Sequence, residues 1–267
     1  QPNAMGGREV GGLANMLAAH MAIENKDHRD LVQDFWQSPV MADKPGLKAV
    51  DLFDAVDEGK IKALWIMATD PVDSLPNASL VERALEKCPF VVVSDIYRNT
   101  DTVKYADMIL PALGWGEKDG TVTNSERRIS RQKAFLPAPG AAKADWWQLA
   151  EVGKRMGFAK DFNYEGPAAI FREHAALSAH QNHGRRDFDI GAFSHISNDS
   201  YDDLDPFQWP MAAGTDPTET RFFANGGFFT EDRKANFIPT STGRSKIVWD
   251  DGRLSLNTGR IRDQWHT

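Results

Sequence analysis

Three short apolar runs set the rhythm of the chain. Residues 63–68 (Ala-Leu-Trp-Ile-Met-Ala), 90–93 (Phe-Val-Val-Val) and 108–111 (Met-Ile-Leu-Pro) are apolar at successive positions. Runs this short, without alternation, predict strands, the first two of them buried. The first two end in polar pairs, Thr69-Asp70 and Ser94-Asp95. Before the first run and between the first two, the apolar positions fall at helical spacing: residues 51–59 predict a helix stopped by Gly59, and residues 78–88 an amphipathic helix. A helical turn is expected over 101–105, and helices over 146–156 and 167–177. Strand, helix, strand, short connection, strand is the order of a parallel sheet with crossovers. The fold class expected is therefore α/β, a doubly wound, mostly parallel sheet with flanking helices.

Outside that region the pattern is weaker. Residues 5–12 form a glycine-rich stretch around Arg8, and the apolar spacing after it predicts a helix over 13–23. Residues 26–46 are polar and broken by proline. From about 181 to 240 the chain is polar and aperiodic, and long loops are expected there. Residues 246–249 and 253–256 bracket Asp250-Asp251-Gly252, a hairpin signal that marks the start of a β domain. The expected division is an α/β domain over 1–240 and the beginning of a β-barrel-like domain over 241–267. Both ends read as cuts within a longer polypeptide.

A net charge of -7 lacks the Lys and Arg excess that nucleic acid or an anionic membrane surface requires, so neither partner is expected. No apolar run approaches the roughly 20 residues of a membrane span, and a cytoplasmic location is the expectation. Cys88 is the single cysteine, so this chain alone builds neither a disulfide framework nor an iron–sulfur site. His180 and His183 name no third or fourth ligand for a metal.

In open parallel sheets, ligands sit beyond the carboxyl ends of the strands. Thr69, Asp70, Ser94 and Asp95 fall at such ends. A carboxylate there can accept two hydrogen bonds from a ribose diol or a guanine edge, or it can cap the following turn. Lys118, in a charged loop, can meet a phosphate or simply be solvated. Asp145 opens the Trp146-Trp147 helix, where it is either ligand contact or N-cap. Glycines 6, 7, 11 and 12 match no dinucleotide or P-loop spacing, and on chemistry alone a tight turn explains them. Thr258, Gly259, Arg260, Trp265, His266 and Thr267 gather hydroxyls, a guanidinium, an indole and an imidazole, a set that suits a pyrophosphate and a flat heterocycle.

Taken in order, residues 1–12 (Gln-Pro-Asn-Ala-Met-Gly-Gly-Arg-Glu-Val-Gly-Gly), Ser94-Asp95, 106–111 (Ala-Asp-Met-Ile-Leu-Pro), Glu117 to Gly120, Asn124 to Arg128, Thr258 to Arg260 and Trp265 to Thr267 resemble the molybdopterin guanine dinucleotide oxidoreductases. The opening and closing motifs are most similar to the assimilatory nitrate reductase catalytic subunit, with the periplasmic enzyme a near relative. The resemblance spans nearly the whole chain. It implies a molybdenum bis(molybdopterin guanine dinucleotide) enzyme that reduces nitrate to nitrite. It also implies a 4Fe-4S cluster fed by an electron donor protein, with the cluster cysteines and the metal ligand upstream of Gln1. By position it assigns Ser94, Asp95, Lys118, Asp145 and the 258–267 segment to dinucleotide contacts. Thr69 and Asp70 are weaker matches, because the family usually has Asn where Asp70 stands. Arg8 matches an arginine near the metal at the foot of the substrate funnel. Two other readings stay open: a sister enzyme acting on formate or another oxyanion, and a non-catalytic nucleotide-binding module.

Overall fold

The computed structural model describes residues 3–216 and 221–240. These fall into two compact units, 3–216 and 221–240. The expected hairpin over 246–256 and the β domain over 241–267 lie outside the described residues.

The first unit is built on a parallel sheet. β1 (Leu64–Met67), β2 (Val91–Asp95) and β3 (Met108–Pro111) pair in that order, with Ile66 opposite Val93 and Val93 opposite Ile109. Side chains alternate across a strand, so Leu64, Ile66, Val91 and Val93 share one face. Against it pack Phe53 and Val56 of α3 (Ala49–Asp57), Val72 of the short α4 (Pro71–Ser74) and Val81, Ala84 and Leu85 of α5 (Ala78–Lys87). Val91 and Val93 are completely buried, as a central strand requires. The other face carries Trp65, Val92 and Ser94, and α6 (Asp145–Gly153) reaches it through Gln148. Helices thus pack on one face and α6 reaches the other, in keeping with the continuous apolar runs of β1 and β2, whereas β3 at the sheet edge leaves Met108 and Ile109 exposed. Gly59 ends α3 as the sequence predicts: its φ is +72°, and the amides of Gly59 and Lys60 fold back to Val56 and Ala55.

A second sheet was not legible in advance. β4 (Gly120–Thr123) and β5 (Arg128–Gln132) form an antiparallel hairpin where a charged loop is expected, and β6 (Phe207–Gln208) pairs with β5 at Ile129. Asn124 closes the turn, its side-chain oxygen accepting from the amides of Glu126 and Arg128. Within the span expected to be loops, residues 181–240, the chain also forms the short helix α8 (Asn198–Asp202). The preceding α7 (Pro167–Ala179) agrees with expectation.

The amino-terminal region departs from the sequence reading in three places. The glycine-rich stretch is helical, α1 (Ala4–Glu9), whereas the expected helix over 13–23 is absent. There the chain reverses: Gly11, Ala19 and His20 have positive φ, and the Leu17 amide bonds the Met21 carbonyl. Leu17, Ala18, Ala19, Met21 and Ile23 are buried nearly in succession, so their spacing reflects enclosure on several sides and not one helical stripe. Conversely, α2 (Lys26–Trp36) forms in the polar segment, started by Asn25, whose side-chain oxygen accepts from the amides of Asp27 and His28. Val32 is its one buried residue, too narrow an apolar stripe to read.

Candidate functional site

The carboxyl ends of β1, β2 and β3 open into a cleft of about 400 Å3 lined by, among others, Thr69, Asp95, Tyr97, Trp115 and Lys118. Asp70 and Ser94 also line it. Five residues singled out by strand-end position and charge therefore converge on one cavity. Asp145 joins them through its Oδ2, which accepts a hydrogen bond from Lys118 Nζ at 2.8 Å.

The residues do different jobs. Ser94 is fully buried. Its hydroxyl accepts from Trp65 Nε1 at 2.8 Å and donates to Gln148 Oε1 at 2.7 Å, while Gln148 Nε2 donates to the carbonyls of Pro111 and Lys143. Ser94 thus locks α6 and the segment before it onto the strand ends, and its hydroxyl has its donor and one acceptor position filled from within. Asp70 is similarly occupied: its carboxylate accepts from the amides of Asp101 and Thr102 and from the Thr102 hydroxyl, holding the turn over Val103–Tyr105. Asp95 is half-buried. Its Oδ1 accepts from the Tyr97 amide at 2.9 Å, the turn-capping role considered from sequence, and Oδ2 makes no hydrogen bond among the described residues. Thr69 is exposed at the rim, directly after Ala68, whose φ of +54° turns the chain sharply out of the strand.

Asp145 is the first residue of α6 and not its N-cap, a position held by Ala144. Its Oδ1 is buried without a hydrogen-bond partner among the described residues, close to Lys118 and the cleft. A buried carboxylate oxygen left unmatched is the kind of group a ligand donor or an ordered water satisfies. Tyr97 and Trp115, 68% and 55% exposed, present open aromatic faces at the same cavity. The ingredients match a nucleoside phosphate: flat rings for a base, a carboxylate for its hydrogen-bonding edge and an ammonium for a phosphate. Tyr97 and Gln148 carried no local signal in the sequence; they are recognisable only once the strand ends are assembled.

Arg8 does not line the cleft. It lies in the last turn of α1, exposed, and its side chain makes no hydrogen bond or ion pair among the described residues. The surface pair with Glu9 that could have explained it is not formed, because Glu9 points inward and is only 4% exposed. Glu9 meets a buried polar cluster: Trp209 Nε1 donates to its Oε1 at 2.6 Å and the Thr123 hydroxyl to its Oε2 at 2.7 Å. Burial raises its carboxyl above the ordinary range, opposed by those hydrogen bonds and by His20, and reinforced by Asp187. His20 Nδ1 lies 3.0 Å from Asp187. Burial pushes Asp187 upward, but the His20 contact together with backbone hydrogen bonds from Phe188 and Asp187 holds it below the usual carboxylate range. Burial, aided by His20, pushes His174 down to about 4. Among the described residues no group of three or more His, Cys, Asp or Glu side chains could hold a metal, and no helix is long and apolar enough to cross a membrane. Thr258, Gly259, Arg260, Trp265, His266 and Thr267 lie outside the described residues.

An α/β frame with an open cleft at the carboxyl ends of its parallel strands places this chain among proteins that bind ligands at that edge of the sheet. The profile of the Molybdopterin oxidoreductase family matches residues 3–155, and the chain belongs to that family. It is similar to the nitrate reductase of Klebsiella oxytoca, 50% identical over 268 residues, which covers 100% of this chain and 30% of that protein. The nitrate reductase of Shewanella frigidimarina is also 50% identical, covering 100% of this chain and 29% of that protein. The chain thus spans less than a third of the length of these curated relatives. Acetylene hydratase from Pelobacter acetylenicus shares the fold, with a TM-score of 0.53 at 15% identity over 87% of this chain and 27% of that one.

Proposed function

We propose that this chain is the part of a nitrate reductase that holds one guanine dinucleotide of a molybdenum bis(molybdopterin guanine dinucleotide) cofactor and contributes Arg8 to the nitrate funnel. The observation that carries the reading is the convergence of Asp95, Lys118 and Asp145 at the strand-end cleft in a chain half identical to nitrate reductases over its full length. That identity favours nitrate over formate as substrate.

Within the cleft, Asp95 Oδ2 accepts from the guanine edge or the ribose diol, a charge-assisted contact worth about 1.5 to 3 kcal/mol. Lys118 neutralises a phosphate, and Asp145 keeps the ammonium aimed. Tyr97 and Trp115 cover the flat base. The cofactor, when bound, supplies the two-electron oxygen-atom chemistry that takes nitrate to nitrite. Arg8 attracts the planar anion with its forked donors and favours the charge that gathers as the N–O bond lengthens. Electrons arrive through a 4Fe-4S cluster from a donor protein, both outside this chain, and the enzyme works in the cytoplasm.

Steady-state kinetics of the full-length enzyme test the Arg8 role. Arg8→Lys raises KM and lowers kcat/KM. Arg8→Ala costs more, about 2 to 4 kcal/mol of transition-state stabilisation by analogy with loss of one preorganised donor. Wild-type kcat/KM in Arg8→Ala at full molybdenum loading contradicts the assignment, as does a loss that merely follows lost metal or lost fold.

A further inference from the structure

The helix that carries Arg8 has little to hold it together by itself. α1 is six residues long, contains Gly6 and Gly7, and has neither a side-chain N-cap nor an acid in its first turn. A helix that short is unstable in water without tertiary support. The support comes largely from one residue of β4. The Thr123 amide donates to Asn3 Oδ1 at 2.9 Å, just before the helix, and the Thr123 hydroxyl donates to Glu9 Oε2 at the helix end. Gly6 is needed for the first contact, since a Cβ there would sit 2.3 Å from Asn3 Oδ1.

Glu9 supplies the rest. Its Oε1 accepts from Trp209 and its carbonyl from the Ala19 amide at 2.7 Å. One residue thereby ties the helix to three separate segments, two of them 114 and 200 residues away along the chain. Successive helical side chains leave the axis about 100° apart. A Glu9 fixed inward therefore fixes the direction in which Arg8 leaves the surface.

We propose that Glu9 is a positioning residue for Arg8, its buried carboxylate clamping α1 onto Thr123 and Trp209 so that the guanidinium is aimed before nitrate arrives. The proposal rests on the reading of Arg8 as the nitrate-facing cation. The chemistry of the clamp requires one acceptor for the Trp209 N–H, whereas the Thr123 hydroxyl can turn to donate or accept. Gln at position 9 can satisfy both partners; Leu can satisfy neither.

The test is a double-mutant cycle in the full-length, molybdenum-loaded enzyme. Glu9→Leu lowers kcat/KM for nitrate about tenfold or more, chiefly through KM, as misaligned binding groups do. Glu9→Gln retains most of it. On an Arg8→Ala background Glu9→Leu causes no further loss. Amide hydrogen exchange over residues 4–12 quickens in Glu9→Leu and not in Glu9→Gln, a readout independent of turnover. Val32→Ala, a buried change in α2, controls for general destabilisation and leaves kcat/KM unaltered. If Glu9→Leu does not fold, Thr123→Val takes its place and lowers kcat/KM about threefold, the scale of one hydrogen bond. Additive losses in the cycle overturn the positioning role while leaving the Arg8 reading intact. An Arg8→Ala enzyme with wild-type kcat/KM overturns both. A Glu9→Leu enzyme with normal kinetics, or a Glu9→Gln enzyme as impaired as Glu9→Leu, overturns the positioning role alone.

Discussion

Replacing Ser94 by Ala removes a hydroxyl that stands between the sheet and α6. The Trp65 indole N–H and Gln148 Oε1 each lose a partner, at present 2.8 and 2.7 Å away. A buried polar group left unpaired costs about 1 to 3 kcal/mol. Gln148 is buried and bears the full penalty; Trp65 is half-buried and recovers part of its loss from water. The expected destabilisation is about 2 to 3 kcal/mol, which for a chain of this size lowers Tm by roughly 5 to 10 °C. The consequence extends to the cleft. Gln148 also holds the carbonyls of Pro111 and Lys143, and Lys143 lies two residues before Asp145. Loosening Gln148 therefore loosens the Lys118–Asp145 pair, and Ser94→Ala should lower guanine nucleotide retention as well as stability. Urea unfolding of the chain, followed by tryptophan fluorescence and far-ultraviolet circular dichroism, measures the first effect. Nucleotide content of the full-length enzyme measures the second. A stability change below about 0.5 kcal/mol, the scale of an ordinary surface substitution, refutes the reasoning.

Two other outcomes follow from the same structure. The chain by itself reduces no nitrate with reduced viologen as donor, because one cysteine cannot hold both a four-cysteine cluster and a metal; measurable nitrite formation by the purified chain contradicts this. His174 makes stability depend on acid: with its folded value near 4, below the ordinary 6.5, its contribution is complete above pH 6.5 and disappears as pH falls through about 4. The full span is worth about 3 kcal/mol, and urea midpoints of wild type and His174→Gln from pH 7 to 4 should converge toward acid. Parallel pH profiles disprove the assignment.

What was readable in the sequence follows from where each signal resides. The parallel sheet announced itself because strands covered on both faces must be apolar at every position, as Val91 to Val93 are. The cleft was largely legible too, since the strand ends bearing Thr69, Asp70, Ser94 and Asp95 are where such sheets bind ligands. The division of labour among them was not: only packing reveals that the Ser94 hydroxyl is engaged by Trp65 and Gln148, and Asp70 by Thr102. The apolar residues over 13–23 mimicked a helical stripe because a reversing, enclosed segment also buries many side chains. α2 was hidden by the opposite cause, a helix with one buried residue. β6 reaches its partner from more than seventy residues downstream, and the Glu9 cluster gathers residues as remote as Trp209. Neither leaves a local pattern.

The measurement that bears most directly on the central claim is the guanine nucleotide and molybdenum released from purified full-length enzyme, wild type against Asp95→Ala, with melting temperature on the same samples. Asp95 lines the cleft, and its side chain's only hydrogen bond among the described residues is the one that closes the Tyr97 turn. The account predicts guanine nucleotide in excess of molybdenum in the wild type, and a loss of nucleotide in Asp95→Ala with Tm nearly unchanged. Wild-type enzyme without guanine nucleotide, or an Asp95→Ala enzyme that keeps its full complement, contradicts it.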